Sequence, residues 1–185
     1  MSNSPRTVAA QASLAVAQDF IQSVEAKDLD AVSRTLTVDA RQLFMHSRRT
    51  KTSDGVAAII AGRTKGFCVA DVQGKSEILA YTNALFEKFT PLVWRDHEWT
   101  VTQNGEEVFF HGQGDMIVAR TGRTYKNNYV TRFDIEDGKI VRMAEYADAF
   151  MYAGLRVRPN GAEFRALLRA VKRMASFGQS SRSGR

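Results

Sequence analysis

Glu145 is the carboxylate whose setting in this sequence best suits proton transfer. Alternation along Lys139 to Ala147 puts Val141, Met143, Glu145 and Ala147 on one strand face. That face is apolar, so a carboxyl on it loses hydration and its pKa rises toward the range useful to a general acid or base. The competing reading is an ordinary strand end, with Glu145 bonded to a neighbour such as Asn128 or Arg132. His46 is the second titratable candidate, at the end of an expected strand that starts at Asp39. An imidazole changes charge near neutral pH and could act as the base, although a histidine at a strand end also suits a plain surface position.

Other side chains fit binding better than chemistry. Tyr81, on an expected helix, joins an apolar ring to one hydroxyl and suits a polar group of a ligand. Trp94 and Trp99, with Phe86, Phe89 and Phe110, can supply an apolar wall that selects a planar or hydrophobic molecule. Met143 shares the strand face of Glu145. His111, Gln113 and Asp115 alternate along one strand, and line either a pocket mouth or the solvated side of the sheet. Of Asn127 and Asn128 only one can point inward: Asn128 shares the parity of Val130 and Asn127 that of Tyr129 and Thr131, and Asn128 is the binding candidate. No Gly-rich phosphate loop, His-x-x-x-His pair or Ser-His-Asp pattern occurs, so neither a metal nor a nucleotide cofactor is expected.

The elements that must position these residues follow from periodicity. Leu14, Ala17, Phe20, Ile21 and Val24 recur at helical steps within Val8 to Ala26. A second short helix, Leu29 to Leu36, has Asp28 as its N-cap. A loop from Ser47 to Asp71 is expected, with a short strand around Phe67 to Val72. A third helix spans Gly74 to Phe89, where Ile78, Tyr81, Leu85 and Phe89 share a face. Four long strands follow, joined by turns at Asn104-Gly105, Thr121-Gly122 and Asp137-Gly138, which makes an antiparallel meander. A last helix runs from Ala162 to Ala175. Its Phe164, Leu168 and Val171 face is expected to dock, with the arginines in water, and the final eight residues to be disordered.

The chain has 185 residues, 44% hydrophobic and 25% charged, which fits one globular domain. Cys68 is the only cysteine, so an intrachain disulfide and a cysteine metal cluster are excluded. No apolar run approaches the roughly 18 residues of a membrane helix, and the N-terminal segment reads as an amphipathic helix, not a secretory signal. A cytoplasmic location is expected. The net charge of +6 gathers at the end of the chain: eight basic residues lie between Arg156 and Arg185 against Glu163 alone. The body is near neutral, so nucleic acid is not the expected partner, and residues 156–185 form an appendage to a domain of residues 1–155.

Two stretches carry a family resemblance. Val16 to Ala40, VAQDFIQSVEAKDLDAVSRTLTVDA, resembles the opening of SnoaL-like proteins of the nuclear transport factor 2 superfamily. Tyr125 to Phe150, YKNNYVTRFDIEDGKIVRMAEYADAF, resembles their last hairpin. The resemblance implies an α+β fold: a cone-shaped, curved antiparallel sheet wrapped around three helices, here with an extra C-terminal helix. It also implies an apolar pocket for a small hydrophobic ligand and a homodimer through the outer sheet face. Glu145 matches the position of an aspartate in limonene-epoxide-hydrolase-like enzymes and of a glutamate in phenazine-biosynthesis proteins; Tyr81 matches a histidine of the latter. The oxyanion tyrosine of ketosteroid isomerases aligns with Phe20, their base with Phe44 and their second acid with Thr131, so that mechanism is not expected from the same residues. The implied function is acid–base isomerisation, cyclisation or dehydration of a hydrophobic metabolite; the alternative is a non-catalytic binding or scaffolding module of the same fold.

Overall fold

The computed structural model describes residues 5–44, 70–154 and 161–180. Helix α1, Pro5–Glu25, buries Ala17, Phe20, Ile21 and Val24, the stripe that its periodicity marks. It stops at Lys27, which takes a positive φ of 57°. The Lys27 ammonium then donates to the carbonyls of Phe86 and Phe89, both at 2.6 Å, at the end of the third helix. A cation suits those unpaired carbonyls. Asp28 caps α2, Leu29–Thr35, by accepting from the Ala31 N–H at 2.8 Å. That cap was legible from its residue type alone.

Helix α2 runs straight into β1, Leu36–Phe44. After β2, Ala70–Gln73, come α3, Lys75–Lys88, and the strands β3, Trp94–Val101, β4, Glu107–Ile117, β5, Thr124–Glu136, and β6, Lys139–Tyr146. A short helix α4, Ala149–Ala153, and the C-terminal helix α5, Gly161–Ser180, complete the described chain. The six strands form one sheet in the order β2-β1-β6-β5-β4-β3. The expected meander is β3 to β6. The sheet is nevertheless mixed, because β1 pairs with β6 in parallel. Periodicity within a strand carries no information on the direction of its neighbour, so the wholly antiparallel expectation is corrected at this pair.

Two local features shape the inner face. A bulge in β3 between Arg95 and Glu98, with Asp96 at φ 52°, adds a residue to the strand. Trp94 and Trp99 are an odd number of residues apart, and the bulge turns both toward the inner face, opposite Gly114 and Phe110. On β4, a Cβ at Gly112 would lie 2.4 Å from the Phe110 ring, and one at Gly114 would lie 2.6 Å from the Tyr129 ring. Both rings lean over bare backbone, which only glycine permits.

Helix α5 docks in the opposite sense to the expectation. Its Glu163, Ala166 and Ala170 are buried, with Ala170 against Leu43 of β1, while Phe164, Leu167, Leu168 and Val171 are 39–49% exposed. The alanines allow close approach, and Arg169 fixes the rotation by pairing with both Glu77 carboxylate oxygens, at 2.5 and 2.8 Å, and with the Asp71 carbonyl at 2.9 Å. The helix also continues to Ser180, into residues expected to be disordered.

Candidate functional site

The concave face of the sheet and helices α1, α3 and α4 enclose a cavity of about 130 Å³. Phe20, Ile21 and Val24 of α1 form one side, and Tyr81, Thr82 and Leu85 of α3 another. Alternation brings every second residue of the strands inward: Gln42 and Phe44 from β1, Tyr125, Tyr129 and Thr131 from β5, Met143 and Glu145 from β6. Trp94 of β3 and Tyr152 of α4 complete the lining. The walls are overwhelmingly apolar or aromatic.

Glu145 stands in the ladder between Thr131 of β5 and Phe44 of β1. No ion pair or hydrogen bond of its carboxyl is present among the described residues; in particular, neither Asn128 nor Arg132 reaches it. Loss of hydration alone pushes its pKa up to about 8. The group is therefore chiefly protonated at neutral pH, with a minor ionised fraction.

Tyrosine hydroxyls surround this acid. Burial, reinforced by the Glu145 charge, pushes Tyr81, Tyr125 and Tyr129 above the ordinary phenol range. They stay neutral and serve as donors. Tyr125 Oη accepts from Tyr129 Oη at 3.1 Å and from Asn127 Nδ2 at 2.8 Å, which leaves its own proton to give. Tyr81 rests against Phe44, ring centroids 4.9 Å apart. Tyr152 accepts from Lys88 Nζ at 2.7 Å and donates to Glu163 at 2.8 Å; Lys88 and Glu163 form a buried ion pair behind it. Two polar atoms in the walls are buried and unpartnered: Gln42 Oε1 and Trp94 Nε1.

Of the residues singled out from sequence, Glu145, Tyr81, Met143, Trp94, Phe20 and Phe89 meet at the cavity. Phe86 and Phe110 are buried outside its lining, and Asn128, His111 and Trp99 also fall elsewhere. Asn128 is exposed on the outer face, and the inward amide is Asn127, which shares the parity of Tyr125 and Tyr129. His111 also lies on the outer face, 3.5 Å from Glu98, because the inward residues of β4 are the even-numbered ones. Trp99 packs on Phe110, centroids 4.7 Å apart, beyond the cavity lining. His46 lies outside the described residues. Sequence reasoning missed Gln42, Tyr125, Tyr129 and Tyr152. The period-two run Tyr125, Asn127, Tyr129, Thr131 was a readable signal for β5; Gln42, on a strand with apolar residues on both faces, offered none.

No group of three acidic, histidine or cysteine side chains among the described residues could hold a metal ion. The Arg132–Asp134 and Arg41–Asp71 pairs do not line the cavity, so neither supplies an arginine–aspartate couple to its interior. No helix among the described residues is long and apolar enough to cross a membrane.

Residues 17–143 match the SnoaL-like domain. No functionally curated protein matches in sequence. Among solved structures, a phenazine biosynthesis-related protein from Pseudomonas aeruginosa superposes with a TM-score of 0.61 at 13% identity, over 86% of this chain and 91% of that one. An NTF2-like protein from Burkholderia xenovorans gives a TM-score of 0.58 at 16% identity, over 78% and 95% of the two chains. The epoxide hydrolase/cyclase-like enzyme SalBIII, of pyran ring formation in the polyether salinomycin, gives 0.55 at 16% identity, over 76% and 93%. At such identities the likeness is one of fold.

Proposed function

This chain belongs to the SnoaL-like domain family, and we propose that it performs acid–base chemistry on a small hydrophobic molecule, with Glu145 moving the proton. One observation carries the reading: a carboxyl without an ion-pair or hydrogen-bond partner among the described residues, desolvated to a pKa of about 8, in an apolar cavity ringed by neutral tyrosine donors. A pKa near the working pH makes both the acid and base forms available. The ionised form takes a proton from carbon next to a substrate carbonyl, while Tyr81 and Tyr125 supply donors for the oxyanion that develops. Returning the proton elsewhere gives isomerisation, cyclisation or dehydration.

Deuterium exchange next to the carbonyl of monocyclic ketones, followed by NMR in deuterated buffer, tests this. The expected rate rises with pH and levels off above about 8, and Glu145→Gln abolishes it. Exchange unchanged in Glu145→Gln, or flat with pH, would sink the proposal. Saturable binding without any exchange would leave the non-catalytic binding module as the function.

The same reading includes a cytoplasmic location. It also includes a homodimer through the outer face of the sheet, where Ile117 and Val130 are exposed. Light scattering on the purified chain decides the latter; a monomer at all concentrations refutes it.

A further inference from the structure

Resting on the reading of this cavity as a ligand site, we infer that its ligand is a single-ring molecule carrying a carbonyl at one end and a hydroxyl at the other. Gln42 and Trp94 recognise those two groups. Gln42 is 7% exposed, lines the cavity, and leaves Oε1 without a partner. Trp94 Nε1 is likewise buried, in the same cavity, and without a partner. Buried polar atoms in native folds are nearly always paired, and each exception calls for a reason. A ligand that pairs both supplies one.

Each atom specifies its complement. An indole N–H only donates, so it requires an acceptor such as a carbonyl oxygen. A carboxamide offers an acceptor on one side and a donor on the other, and a hydroxyl can satisfy either. The two residues come from opposite parts of the sheet, Gln42 from β1 and Trp94 from β3, with β6, β5 and β4 between them. The polar groups of the ligand therefore lie at its two ends, with the apolar ring against Phe44, Met143 and Tyr129 in between. A cavity of about 130 Å³ is close to the size that holds one benzene-like ring.

Trp94 is well fixed for this task. Its backbone N–H donates to Glu25 at 2.8 Å, His97 reaches its carbonyl at 3.1 Å, and its ring stands edge-on to Tyr129, with centroids 5.8 Å apart. Gln42 is held in register between β2 and β6, opposite Val72 and Met143.

Calorimetric titration with 4-hydroxyacetophenone, acetophenone and 4-ethylphenol in mildly acidic buffer provides the test, since the three share a ring and differ by one polar group. The intact chain should bind 4-hydroxyacetophenone about tenfold tighter than either of the others. In Gln42→Leu the advantage over acetophenone should vanish while that over 4-ethylphenol persists. In Trp94→Phe the pattern should reverse. Equal affinity of the intact chain for all three, no saturable binding of any, or variants that keep both ratios would overturn the inference. The ranking on the intact chain decides even where a variant fails to fold. Because these titrations read affinity and not proton exchange, they can fail while the role of Glu145 stands, and the reverse.

Discussion

Tyr152 donates to Glu163 across 2.8 Å, and this bond joins the wall of the cavity to the C-terminal helix. Glu163 is the lone acid of a basic segment, yet it is 6% exposed and shares its carboxylate between Tyr152 and the Lys88 ammonium. The Lys88 nitrogen also sits 5.3 Å from the centre of the Tyr152 ring. Helix α5 thereby reaches through α3 and α4 to a residue that bounds the cavity.

Glu163→Ala should therefore destabilise the fold by about 3 kcal/mol, because it strands a buried ammonium. The paired replacement Lys88→Met with Glu163→Leu should recover most of that loss, since no uncompensated charge remains. Urea unfolding of the three variants measures both values. A Glu163→Ala chain as stable as the parent would show that the ion pair contributes nothing.

The shift at Glu145 makes a signed prediction for stability. Its folded pKa, about 8, lies above the ordinary carboxyl value of 4.5. Between those values the unfolded chain has lost the proton and the folded chain keeps it, so stability falls as pH rises through this window. The contribution reaches roughly 3 kcal/mol at neutral pH. Glu145→Gln removes it. Subtracting the urea stability of the parent from that of the variant isolates this group: the difference should be near zero at about pH 4.5 and should grow to a plateau above about pH 8.

How far the sequence reached follows from what its periodicities encode. A period of two in β6 placed Glu145 and Met143 on one face, and helical spacing placed Tyr81 and Phe20; those positions depend on local geometry alone. The bulge in β3 broke that logic, since one inserted residue changes the face of everything beyond it. The parallel β1–β6 pairing, which sets Gln42 beside Met143, is a long-range choice that neither strand announces. The docking of α5 misled for another reason. Its large apolar residues suggested the buried face, but the small residues Ala166 and Ala170, with Arg169 held by Glu77, determine the contact.

Gly114→Ala should shrink the cavity without touching its chemistry. The new methyl would lie 2.6 Å from Tyr129 Cε2, on a ring that lines the cavity, so the ring has to move. Overpacking of this kind destabilises by about 1–3 kcal/mol. Affinity for 4-hydroxyacetophenone should fall while Glu145 keeps its elevated pKa, which carbon-detected NMR of the carboxyl can follow. Unchanged affinity would place the ligand away from Tyr129.

The neighbours Asn127 and Asn128 separate the two faces of β5 in one comparison. Asn127 Nδ2 donates to Tyr125 Oη at 2.8 Å and to the Asp148 carbonyl at 2.9 Å, and its Oδ1 accepts from the Asp148 N–H at 3.0 Å. Asp148 in turn caps α4 by accepting from Phe150 and Met151. Asn127→Ala removes three bonds from a buried side chain and loosens the helix that carries Tyr152. A loss of about 2 kcal/mol is expected, with lowered affinity for cavity ligands. Asn128→Ala, on the exposed face, should change stability by less than about 0.5 kcal/mol and leave ligand affinity as it was. The opposite ranking in thermal unfolding and titration would mean that β5 presents its other face to the cavity.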